Sequence, residues 1–172
     1  MAIINLQAEN AYYETMSGND PFTVIIRGVA YLDFELEKLL SLCLKVPAEL
    51  KAMNLDYSKR CALAFALGLD NRIKPALAAV GHLRNKLAHQ PDRHLTDEDA
   101  KSLYKALSTE EKQNLPKFLD RIARTPKVEF RKLSAMDQYV IMLVLLRSIV
   151  VAAQRNIENA RSSPAFASAA NV

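Results

Sequence analysis

The chain has no tryptophan, four glycines and two cysteines in its 172 residues. It also has no run in which apolar and polar residues alternate. Without that alternation, and with so few turn glycines, a β-sandwich or barrel is excluded. The cysteines, Cys43 and Cys61, form no C-x-x-C pair, so neither a disulfide scaffold nor a zinc knuckle is expected. Both lie in apolar stretches and read as buried thiols of a reducing compartment. No basic segment followed by an apolar core opens the sequence, so no signal peptide is expected. The longest apolar stretch, Tyr139 to Ala153, is interrupted by Arg147 and Ser148 and reads as too short for a membrane span. The expectation is a cytoplasmic protein without membrane contact. What is present is apolar: half the residues are hydrophobic, enough for a sizeable core in one domain. The net charge of +4 permits an acidic partner such as RNA without demanding one.

Residues 1–19 are mixed and polar and read as an N-terminal arm or short helix. Asp20-Pro21 then supplies a cap followed by a first-turn proline. Ile25, Val29, Leu32, Leu36, Leu39 and Cys43 step by fours and threes, one apolar stripe on a long helix ending before Pro47. Pro47 to Leu55 reads as a connection with one turn. Ser58 to Leu67 forms a second helix, stopped by Gly68 and Asp70, and Asn71 to Ala88 a third, ended by Pro91. Thr96 and the acids after it cap a short helix reaching Leu107. Ser108 to Glu111 is a capping box for the next, in which Pro116 predicts an interruption and a restart near 115. A basic segment covers 121–132, with Pro126 as a break. Ser134 to Ala160 is a last long helix, apolar nearly all round between Val140 and Val151. Residues 162–172 have the composition of a disordered tail. The expectation is an all-α, single-domain bundle over 20–161, with two long apolar helices and shorter ones between them.

Within the third helix lies Arg84-Asn85-Lys86-Leu87-Ala88-His89, an R-N-x-x-x-H string. It sets a cation, an amide and a titratable imidazole near a helix end, groups that can hold a phosphate and move protons around it. His82, Asn85 and His89 are spaced three and four and share a stripe. Arg84 lies about 140° round the helix from His89. The two meet if the helix end bends near Ala88, or if two copies face each other across a two-fold axis.

The string resembles the signature of the HEPN superfamily (higher eukaryotes and prokaryotes nucleotide-binding domains), R-x4–6-H with a polar residue after the arginine. The segments Gly28 to Leu40, Arg60 to Leu69 and Leu83 to His89 together resemble, in order and spacing, the mannitol-operon-repressor-like branch of bacterial helical proteins. That likeness covers roughly residues 22–107. It implies a HEPN-like helical bundle, a homodimer with the motifs meeting at its interface, and metal-independent endoribonuclease activity of toxin or defence type. Arg84, Asn85 and His89 would be its catalytic residues. The alternative is a non-catalytic regulator resembling the mannitol operon repressor, which acts through protein contacts. The partners implied are RNA, a second copy, and an antitoxin or regulatory protein.

The chemistry fits the residues. RNA carries its own nucleophile, the 2′-OH. His89 can take or give a proton near neutral pH, Arg84 can fork onto two phosphate oxygens, and Asn85 can bond a phosphate or orient His89. Lys86, Arg121, Arg124 and Arg131 are candidates for holding the RNA backbone, although a basic run is more often a solvated surface. His82, Asp33, Glu35 and Glu37 are supporting candidates, the acids as partners for Arg84. No spacing brings the histidines and an acid into a metal site, and the reading requires no cofactor.

Overall fold

The computed structural model describes residues 10–18, 20–90, 92–122 and 128–162. Among these it is all-helical, with eight α-helices and no strand. They are α1 (Asn10–Met16), α2 (Pro21–Cys43), α3 (Glu49–Ala52), α4 (Tyr57–Ala66), α5 (Lys74–His89), α6 (Asp97–Ala106), α7 (Thr109–Ile122) and α8 (Ala135–Arg161). Single 3₁₀ turns occupy Asn71–Ile73 and Phe130–Lys132.

The helix starts follow local chemistry. The Asp20 carboxylate accepts from the amides of Phe22 and Thr23, and hydrogen bonds from Thr23 hold its pKa below the ordinary value. At α6, Thr96 and Asp99 cap each other reciprocally. Ser108 and Glu111 do the same before α7. Ser134 accepts from the Asp137 amide at the start of α8. α7 departs from expectation: it runs unbroken through Pro116. Pro116 is exposed, so the carbonyl of Lys112, deprived of its amide partner, is left to solvent. Leu115, Phe118 and Leu119 are buried and hold both sides of the proline to the core.

α2 and α8 are the central pair, and α1, α4 and α5 also pack on α2. Leu32, Leu36, Leu39 and Leu40 of α2 meet the wholly buried run Val140 to Leu146 of α8 in one core. Gly28 permits the close approach, because a Cβ there would lie 2.6 Å from a Leu143 methyl. α1 falls in the stretch read as an arm or short helix, and Tyr12 and Met16 are buried in the core. Tyr12 meets Tyr31 edge to face, with ring centroids 5.1 Å apart. The tail expected over 162–172 lies outside the described residues from 163 on.

By length and composition α8 is long and apolar enough to cross a membrane, contrary to the expectation from Arg147 and Ser148, but half of its most apolar window is buried against other helices. Arg147 sits in this apolar surface because Glu35 of α2 faces it. Their ion pair is 2.5 Å long and both side chains are buried. The Gln154 amide nitrogen donates to the Glu35 carboxylate and backbone carbonyl. The Arg147 guanidinium also lies over the Tyr12 ring, 4.2 Å from its centroid.

Candidate functional site

α5 carries the motif and is tied down along its length. Pro75 fits its first turn. Ala76, Leu77, Val80, Leu83 and Leu87 are buried, so the helix lies flat on α2, α4 and α6. The opposite face is open: His82, Arg84, Asn85, Lys86 and His89 are all exposed. Arg84 Nη1 donates to Asn85 Oδ1 at 3.0 Å. Helix geometry continues through His89, with Gln90 as the C-cap. A bend at Ala88 is therefore not what joins the pair, and the two side chains leave the helix about 140° apart. Beyond the helix, the loop returns to α6, where Arg93 Nη2 donates to both oxygens of Asp99 at 2.8 and 3.1 Å.

The three acids offered as partners for Arg84 serve other cations. Asp33 and Glu37 share a face of α2 that meets α4, and both bind Arg60, at 2.5 and 3.5 Å. Glu35 points about 200° away from Asp33, toward α8 and Arg147. One arginine cannot collect all three, because the helix turn sends them to different neighbours. Among the described residues no carboxylate pairs with Arg84. The acid inside the stripe of Leu32, Leu36 and Leu39, and the lone arginine in an apolar run, were the available signals for the Glu35–Arg147 pair.

His82 and Asn85 line one cavity of about 250 Å³ between α4 and α5. Tyr57, Cys61 and Phe65 form its α4 wall, and Lys74, Ala78 and Gly81 complete the α5 side. Gly81 is required here, since a Cβ would come within 2.7 Å of the Tyr57 ring. The ring is fixed by its hydroxyl, which donates to the Leu77 carbonyl at 3.0 Å. Burial pushes the Tyr57 phenol well above its ordinary pKa and the Cys61 thiol up to about 11, so that thiol is inert at neutral pH. The aromatic walls and Lys74 escaped the sequence reading, because nothing in periodicity pairs α4 residues with those of α5.

The more distant basic residues lie elsewhere. Arg121 is exposed in the last turn of α7, over the Phe118 ring, and lines a groove between α7 and α8 with Arg72 and Lys117. Arg72 is bound there by Asp70, Glu110 and Glu111. Arg131 is exposed in the 3₁₀ turn Phe130–Lys132. Arg124 lies outside the described residues. Lys86 thus stays with the motif, whereas Arg121 borders a different groove. Among the described residues no group of three His, Cys, Asp or Glu is placed to hold a metal. No protein-family model, curated protein or solved structure matches the chain.

Proposed function

We propose that this chain is a metal-independent endoribonuclease of toxin or defence type, a HEPN-like bundle that works as a homodimer. The observation that supports it most is the state of α5: Arg84, Asn85, Lys86 and His89 are exposed, and the three acids of α2 are bound to other arginines. A cation kept clear of carboxylates is available to phosphate. The unbroken helix through His89 favours the two-copy arrangement, in which the arginine of one copy serves the histidine of the other.

In this reading His89 takes the proton of the 2′-OH as that oxygen attacks phosphorus. Arg84, held by Asn85, balances the charge of the phosphorane-like transition state. The bond to the 5′-oxygen breaks, and that oxygen takes a proton from water, while the proton held by His89 later returns to solvent. The products are a 2′,3′-cyclic phosphate and a 5′-hydroxyl. The competing regulator reading draws on the exposed apolar side chains Phe22, Phe34, Val46, Met53 and Leu67.

Mixed RNA incubated in EDTA with the wild type, His89→Ala and Arg84→Ala separates the two readings. Cyclic-phosphate ends made by the wild type and lost in both variants support the enzyme. Mixing the two variants is then expected to restore about a quarter of the activity, because half the dimers regain one of two composite sites. A wild type that cuts no RNA would overturn the reading in favour of the regulator.

A further inference from the structure

We propose that the cavity between α4 and α5 is a base-binding subsite that receives one RNA base and prefers keto bases, guanine or uracil, over adenine or cytosine. The proposal rests on the ribonuclease reading of the neighbouring motif and supplies it with a specificity element.

Size comes first. Pockets for drug-sized ligands run to about 300–1,000 Å³. The cavity, at about 250 Å³, takes a single ring system and leaves sugar and phosphate outside. The walls come next. The Tyr57 ring is locked between its bond to the Leu77 carbonyl and the bare backbone of Gly81. Phe65 is half-buried on the same side. A preset aromatic wall packs against a base without having to be ordered first.

The polar rim then decides which base. The Lys74 ammonium stands 5.8 Å from the centroid of the Phe65 ring and can only donate. Asn85 gives its oxygen to Arg84, so the amide nitrogen, again a donor, is its free end. Ser58 and His82 also line the cavity and can donate or accept, so they choose neither class; the donors Lys74 and Asn85 favour the carbonyl oxygens O6 of guanine and O4 of uracil, where adenine and cytosine carry amino groups. Asn85 is also the link to the motif. A base seated against it leaves its phosphate outside the cavity, on the side of Arg84.

The test is binding by the full chain of GMP, UMP, AMP, CMP and ribose 5-phosphate, followed by calorimetry or by the imidazole NMR signals. GMP or UMP is expected to bind about tenfold more tightly than ribose 5-phosphate, with AMP and CMP weaker than both. Ala78→Phe, at an exposed position of α5, fills the cavity and should reduce all four nucleotides to the level of the sugar phosphate. Lys74→Gln should erase the keto preference with the cavity open, and a thermal melt checks both folds. Equal binding of all five probes, no binding of any, tighter binding of AMP or CMP, or a preference untouched by Ala78→Phe would each overturn the proposal. Keto-selective binding without RNA cleavage leaves the base site standing and removes the ribonuclease. Cleavage that depends on His89, beside a base preference Ala78→Phe does not change, removes the base site alone.

Discussion

Arg147 and Arg84 sit on helices of one bundle in opposite states. Arg147 is buried, paired with Glu35 and stacked on Tyr12. Arg84 is exposed, and its partner is the amide of its own neighbour. Around Arg147, the pair with Glu35 and the Gln154 amide tie α8 to α2. Among the described residues no carboxylate pairs with Arg84, and its helix is anchored by the apolar face of α5. The difference separates charge used for cohesion from charge left open to solvent. It also says where a mutation should cost stability and where it should cost activity.

The largest expected effect tests the buried side. Glu35→Ala strands a guanidinium in the core and should cost about 3–5 kcal/mol in urea unfolding. Replacing Glu35 and Arg147 together by leucine should recover most of that loss; if it does not, the pair does more than neutralise itself. Gly81→Val, which drives a side chain into the Tyr57 ring, should cost about 1–3 kcal/mol by the same measurement.

Alkaline titration reads the wall between α4 and α5. The folded Cys61 thiol titrates near 11, against an ordinary value of 9.0. As pH rises past 9.0 the unfolded chain releases the proton first, so stability present below that pH falls until about 11. Tyr57 and Tyr139, also raised by burial, extend the decline in the same direction. Cys61→Ala should flatten the first part of this fall in the urea midpoint; an unchanged slope would place the thiol in contact with water.

Thr96→Ala removes a cap at α6 and should cost about 1 kcal/mol. The smallest effects belong to the exposed side. Arg84→Ala and His89→Ala should move the unfolding midpoint by no more than about 0.5 kcal/mol, while abolishing any RNA cleavage. A large loss of stability in either would dissolve the contrast between the two arginines.

The helices were readable where their causes are local. Asp20, Thr96, Ser108 and Ser134 announce starts because a cap is made of neighbours in sequence. The stripe of α2 was readable because a helix repeats its face. Pro116 misled because local rules count the hydrogen bond a proline removes, while Leu115, Phe118 and Leu119 together anchor the turn around it. α1 was hard to see because two turns leave room for only one buried pair, Tyr12 and Met16, and Tyr12 gains its place from Tyr31 and Arg147. The motif was readable as a string, and its exposure was not. Periodicity says that Asp33 and Glu37 share a face, but only the packed bundle shows that Arg60 covers it.

One consequence follows from the straightness of α5. If Arg84 and His89 can meet only between two chains, each chain alone is inert. Below the concentration at which dimers form, output then grows with the square of the amount of protein rather than in proportion to it. Halving expression would cut the damage to RNA fourfold. In the ribonuclease proposed above, a helix that continues through His89 would thereby make activity rise more steeply than the amount of protein.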